Sequence, residues 1–335
     1  PTPKIKLPEA ALVADPGSLR DPAGQVYLAG ERVLRRLDSP LDDATETLLR
    51  DFVQKGDLIA YRSFSDAGAY WLESDRLAPW SYPYEWTASQ LADAALLTLR
   101  LAHAAVARGF SLKDATPFNV QFQGAVPIFI DLLSFEPRLL ETPWVAYHQF
   151  CAEFLGPLAL AHYLGDSAAQ RLTTASVAMP LQTVSRCLPM RSWLRPALLL
   201  HLHLHARAGL STRAAQVNQS ARLSSRALLA LLEGLERTVR GLRDGRSPTF
   251  WQNYYGTLPG YAGADFESKR AIVTRFLQQV GRVNVALDLG CNTGTFSRLL
   301  ENYADKVVAV DSDAGAVDAL YRQLSTEQNR RILPL

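Results

Sequence analysis

Cysteine is scarce in this 335-residue chain: Cys151, Cys187 and Cys291 are the only three, and they lie far apart. That is too few for a disulfide framework and too scattered for a zinc site. A reducing, cytoplasmic setting is therefore expected. Long apolar runs are missing as well. The longest, 196–205, holds three histidines and falls short of the ~18 apolar residues of a membrane span. No signal peptide is visible at the start, which begins Pro1, Thr2, Pro3. Lysine is absent from 181–246, where eleven arginines face three acids. This stretch carries +8, which leaves −6 on the rest of a chain whose total is +2. Such a charge could face an acidic substrate, RNA or a membrane surface. Aromatics are not interleaved with the arginines as a stacking platform for nucleic acid requires. Solvated arginine faces of amphipathic helices are the favoured reading. The chain also lacks the three-glycine dinucleotide fingerprint, G-x-G-x-x-G.

What is present near the C-terminal end is V-A-L-D-L-G-C-N-T-G-T-F-S over 285–297. An apolar run ends in Asp288, a turn carries Gly290 and Gly294, and a helical pattern starts at Phe296. Strand, glycine loop and helix N-terminus together bring backbone N–H groups against a nucleotide-like ligand. A second apolar run, 307–310, ends in Asp311, 23 residues after Asp288. An acid at that point is placed to accept hydrogen bonds from ribose hydroxyls.

This pattern resembles motif I and the second-strand acid of the class I S-adenosylmethionine-dependent methyltransferases. The resemblance implies a Rossmann-like sheet and S-adenosylmethionine as cofactor. It places Asp288, Gly290, Cys291, Asn292 and Gly294 along the cofactor loop. It gives Asp311, followed by Ser312, to the ribose. Asn292 stands where many members have a glycine, so a side-chain hydrogen bond is expected there. The acceptor and any base are expected beyond Leu335. Only strands 285–289 and 307–311 and a start at 331–335 are visible, and a parallel sheet must be covered on both faces. The catalytic domain is accordingly expected to continue past the last residue given. The layout is also similar to a bacterial group that includes host-specificity nodulation methyltransferases.

The second informative segment is 111–135. Asp114 is followed by Pro117 and Asn119, and an apolar run then delivers Asp131, twelve residues after Asn119. This resembles the catalytic loop and metal-binding acid of protein-kinase-like and aminoglycoside-phosphotransferase-like folds. The order of elements before it also fits: a hairpin turning at Gly30, a helix over 42–56, strands at 57–62 and 69–73, an aromatic connector, and a helix over 87–108. In phosphoryl transfer one carboxylate serves the attacking hydroxyl and two oxygen ligands hold Mg²⁺. The resemblance gives those roles to Asp114, Asn119 and Asp131. Leu112 stands in place of the loop histidine, and Leu132 and Leu133 follow Asp131 where that family has Phe-Gly. The gripping lysine is replaced by Arg35 or Arg36, which is no simple exchange. A scaffold that kept the loop and lost the chemistry is expected.

The fold class expected is α/β. A lead-in covers 1–21, a kinase-like, helix-rich α+β domain covers 22–245, and the first part of the methyltransferase domain covers 246–335. Helices are expected over 144–162, 193–207, 224–243 and 266–279. Of the three clustered histidines, His201 and His205 share a helical face and His203 points away. With no acid within six residues, core histidines are favoured over a metal site. Trp251, Tyr254, Tyr255 and Lys269 are candidates to close over the cofactor.

Overall fold

The computed structural model describes residues 12–15, 24–66, 68–139, 141–165, 168–169, 179–208, 222–243 and 264–335. The boundary read at 245–248 and the aromatic segment with Trp251, Tyr254 and Tyr255 lie outside these residues.

The N-terminal part opens with β1 (Val13–Ala14), β2 (Gln25–Ala29) and β3 (Arg32–Leu37), the last two joined through a turn at Gly30. Helix α1 (Asp43–Gln54) follows, then β4 (Tyr61–Asp66) and β5 (Ala69–Asp75). The five strands form one antiparallel sheet in the order β1-β2-β3-β5-β4. Asp42 starts α1 by accepting the Thr45 N–H at 2.7 Å and the Thr45 hydroxyl at 2.9 Å. Such a cap is worth about 1 kcal/mol. Leu48, Leu49 and Phe52 on α1 pack into the main core with Leu37 and Leu72 of the sheet. The opposite face holds a smaller cluster of Ala29, Leu34, Phe64, Ala69 and Trp71.

One strand differs from the reading at 57–62, because regular pairing begins only at Tyr61. The preceding apolar residues join another partner. The Ile59 N–H donates to the Phe129 carbonyl, and the Phe129 N–H donates to the Asp57 carbonyl, both at 2.9 Å. An apolar run fits either partner, and tertiary packing decides.

Helix α2 (Ala88–Val106) is the central element. Thr87 and Gln90 form a reciprocal cap at its start, the arrangement that satisfies two orphan N–H donors. It is buried on nearly all sides, as expected of a helix apolar all round. Four short strands follow: β6 (Phe110–Leu112), β7 (Val120–Gln123), β8 (Val126–Phe129) and β9 (Phe135–Pro137). They pair as two antiparallel ribbons, β6 with β9 and β7 with β8. Then come α3 (147–164, with a π-turn at Cys151–Leu155), α4 (Leu181–Cys187), α5 (196–208, with a π-turn at Leu199–Leu204) and α6 (Ser225–Arg243). Trp144 precedes α3 rather than joining it, because its indole N–H donates to the Leu112 carbonyl at 2.7 Å.

The C-terminal part runs α7 (Ala264–Val280), β10 (Val283–Leu289), α8 (Thr295–Leu300), β11 (Ala304–Val310), α9 (Ala314–Thr326) and β12 (Ile332–Pro334). Its strands are parallel in the order β10-β11-β12, with Asp288 opposite Ala309 and Leu289 opposite Val310. β10 is an edge, and Val285, Leu287 and Leu289 on one of its faces are 51%, 57% and 74% exposed. At the other side of the sheet, α9 and β12 lie against α2. Leu320, Tyr321, Leu324, Ile332 and Leu333 belong to the same buried cluster as the α2 residues. Phe122 meets Tyr321 edge to face, with ring centroids 5.9 Å apart.

Candidate functional site

The glycine loop sits where β10 ends and α8 begins. The Gly290 and Cys291 N–H groups both donate to the Val310 carbonyl, at 2.8 and 3.1 Å. This ties the loop to the end of the neighbouring strand. Gly290 has φ +78°, and a Cβ there would meet nothing within 4 Å among the described residues. Among those residues the approach to its backbone is open. Gly294, at φ +84°, is different: a Cβ would overlap the methyl groups of Leu320 on α9. The first glycine leaves room outside the loop, and the second lets helix α9 lie under it.

Two carboxylates flank the loop. Asp288 accepts the Ser297 hydroxyl at 2.6 Å, from the first turn of α8. Asp311 takes the Asn292 N–H on one oxygen at 2.8 Å and the Asp313 N–H on the other at 2.9 Å. Each oxygen of a carboxylate has a second lone pair, so a hydroxyl donor can still be accepted. Asn292 adopts φ +49° and its side-chain oxygen accepts the Thr293 N–H at 2.7 Å. This is the side-chain bond expected from an asparagine at a glycine position. Cys291 is buried, and burial together with the Asp288 and Asp311 charges pushes its thiol up to about 12. Ser312 follows Asp311 and is exposed. Asp288, Gly290, Cys291, Asn292, Gly294, Asp311 and Ser312 thus lie at one loop, while the ammonium of Lys269 lies over the Phe296 ring at 4.9 Å and Trp251, Tyr254 and Tyr255 fall outside the described residues.

The second cluster joins Asp114, Asn119 and Asp131. Asn119 is held in the loop by its N–H on the Thr116 carbonyl at 3.2 Å, and its own carbonyl accepts the Ile130 N–H at 2.8 Å. Its side-chain amide donates to Ser134 at 3.3 Å, and Ser134 donates to Asp131 at 2.5 Å. The other Asp131 oxygen accepts the Leu133 N–H at 3.1 Å. Gln149 accepts the Ala115 N–H at 2.8 Å beside Asp114, and burial, with the nearby Asp131 charge, raises the Asp114 carboxyl above the usual range. Glu153 from α3 joins them. Burial first, and Asp114 next, raises its carboxyl, and its Oε2 has no hydrogen-bond partner among the described residues. Arg35 does reach this cleft, where it donates to the Ile130 carbonyl at 2.9 Å. Arg36 is exposed. Among the described residues, no group of three or more His, Cys, Asp or Glu is arranged to hold a metal ion.

Sequence reasoning missed Ser297, Ser134, Gln149 and Glu153. The two serines had a local signal, since Ser134 follows Asp131 by three residues and Ser297 opens a helix. Gln149 and Glu153 had none, because only the packing of α3 brings them in. The histidines are structural. His201 bonds the Tyr147 hydroxyl at 2.7 Å, and the His205 ring stacks on Tyr147. His203 turns the other way, to Ser185 at 2.8 Å and Ser192 at 2.9 Å.

Fold and site together define a mixed α/β protein. An antiparallel sheet and a helical body lead into a parallel strand, glycine loop and helix unit. The chain is 33% identical over 338 residues to the nodulation protein NoeA of Rhizobium meliloti (strain 1021), covering 95% of this chain and 70% of that protein. It belongs to the family of that nodulation protein. No protein-family model matches it. Among solved structures it is similar to WbdD at 14% identity and a TM-score of 0.34, over 76% of this chain and 48% of that one. It is also similar to the PknI kinase domain of M. tuberculosis, at 16% identity and a TM-score of 0.30, over 64% of this chain and 91% of that one. Scores of this size do not establish a shared fold. No described helix is long and apolar enough to cross a membrane.

Proposed function

We propose that the chain is an S-adenosylmethionine-dependent methyltransferase whose C-terminal part, 246–335, carries the cofactor loop. The observation that carries this reading is the open backbone at Gly290 between Asp288 and Asp311, at the ends of two adjacent parallel strands. The donor chemistry fits. Ribose hydroxyls are donors, and Asp311 retains acceptor capacity while its orientation is fixed by two loop amides. The cofactor supplies an already activated sulfonium methyl, so the main contribution of the protein is alignment and exclusion of water. Asp311 would hold the ribose, and the backbone of Gly290 would admit close approach. Asp288, tethered by Ser297, would support the loop from below.

The N-terminal part, 22–245, is read as a kinase-like scaffold without phosphoryl transfer. What supports this is the exchange of the gripping lysine for Arg35 or Arg36, and the burial that raises the Asp114 and Glu153 carboxyls and so disfavours the charged forms a cation site needs. Arg35, which stands where the kinase-like family has its gripping lysine, donates to a backbone carbonyl. A phosphotransferase acting through Asp114, Asn119 and Asp131 is the rival reading. Thermal shifts of the full-length protein separate the two. Stabilisation by S-adenosylhomocysteine and none by ATP with Mg²⁺ is expected, and the reverse pattern would overturn the assignment.

A further inference from the structure

Helix α9 has two jobs in this molecule. Its start and its inner face build the cofactor loop. The Asp313 N–H fixes one oxygen of Asp311, and the Asp313 side chain caps α9 through Gly315 and Ala316 at 2.8 and 3.1 Å. Leu320 forms the floor under Gly294. Its other face is fastened to the N-terminal part by buried polar links. Asp318 accepts the Ser89 N–H and the Ser89 hydroxyl, both at 2.9 Å, and the Arg322 Nε at 2.9 Å. Ser89 is the second residue of α2, so Asp318 places a carboxylate at a helix N-terminus, where it is favoured. Tyr321 donates to Asp93 of α2 at 2.8 Å. Asp93 is paired in turn with Arg243 of α6 at 2.8 Å, and Arg322 donates to the Arg243 carbonyl at 3.0 Å.

Three helices from distant parts of the chain are thus locked through groups that have little freedom. A buried carboxylate that loses a partner is costly, so this network holds one arrangement. β12 is fastened to the same body: Gln90 donates to the Pro334 carbonyl at 3.1 Å, and the Ala125 N–H to the Asn329 carbonyl at 2.8 Å.

We infer that Asp93 and Tyr321 are positioning residues for the cofactor loop: through α9 they hold Leu320 and Asp311 where the loop needs them. Neither carries a listener's role for the ligand itself; they act on the loop at a distance, from the α2 side of α9. This inference rests on the methyltransferase reading for its affinity test but not for its structural test.

The experiment measures backbone amide exchange in the full-length protein and in Tyr321→Phe and Asp93→Asn. The expected result is exchange at least tenfold faster at 290–294, where the N–H groups of Gly290, Cys291 and Gly294 are bonded to backbone carbonyls. Strands β2 to β5 should exchange as in the parent. S-adenosylhomocysteine affinity by calorimetry should fall about 3- to 10-fold. Unchanged exchange at the loop would overturn the inference, and so would equal acceleration in β2 to β5, which signals general destabilisation. Should Asp93→Asn fail to fold, Tyr321→Phe removes one hydroxyl only and gives the same test. A parent protein that does not bind the probe refutes the methyltransferase reading, and amide exchange still decides the positioning role.

Discussion

The glycine loop and the Asp114 cluster are both built from carboxylates at the ends of short elements, yet they differ in what surrounds those carboxylates. At the loop, Asp311 is oriented by two amides and keeps lone pairs free beside an open backbone. In the cluster, Asp131 likewise accepts one bond on each oxygen, from Leu133 and Ser134 of its own turn, and Asn119 is tied to Ser134. Asp114 and Glu153 are half-buried near one another, with both carboxyls raised. On the proposed reading the loop leaves its backbone approachable, while the cluster sets carboxyls against one another. Retained residue identities therefore do not by themselves mark a working site; what matters is which atoms remain available.

The sharpest way to break this contrast is at Gly294. Gly294→Ala forces a Cβ into Leu320 at a positive φ. The combined strain and overpacking should cost on the order of 2–4 kcal/mol. A fall in Tm of the full-length protein checks it, and an unchanged Tm would show that α9 does not press on the loop. Next comes Asp311→Ala. Loss of a charge-assisted hydrogen bond, about 1.5–3 kcal/mol, should weaken S-adenosylhomocysteine binding about 10- to 100-fold by calorimetry. Asp131→Asn should leave that affinity within about twofold, because its partners lie within its own turn. A large loss would join the two clusters functionally.

The smallest effect is a pH effect. The folded carboxyl of Glu153 is raised by burial above its ordinary value of 4.5. Its protonated form is favoured in the fold, so its contribution to stability is present below that value and is lost as pH rises through the folded one. Glu153→Gln should therefore be more stable than the parent at pH 7, with the difference shrinking as pH falls below about 4.5. Denaturant midpoints at the two pH values check the sign. A variant less stable at pH 7 would mean that the charge of Glu153 has a partner in the folded protein.

Much of this was legible in the sequence where the signal is local. The helices read over 42–56 and 87–108 match α1 and α2, which start at the caps Asp42 and Thr87, and the hairpin does turn at Gly30. The parallel strands ending at Asp288 and before Asp311 followed from apolar runs that stop at an acid. Convergence of Asp114, Asn119 and Asp131 is what the kinase-like resemblance implies, and Arg35 reaches the same cleft. Long-range choices were not legible. Leu58 and Ile59 read as strand but pair beside Phe129. Glu153 and Gln149 arrive on a helix with no motif around them. Nothing near Asp93 or Ser89 announces partners more than 220 residues away. Such contacts depend on how finished elements stack, which period and propensity do not encode.

The central claim is that the glycine loop, and not the Asp114 cluster, receives the nucleotide-like ligand. Calorimetric titration of the full-length protein with S-adenosylhomocysteine, beside a titration with ATP and Mg²⁺, tests it most directly. The account predicts saturable binding of the first, abolished or weakened at least tenfold by Asp311→Ala, and no heat of binding from the second. Binding of ATP that is lost in Asp131→Asn, with no response to S-adenosylhomocysteine, would contradict it.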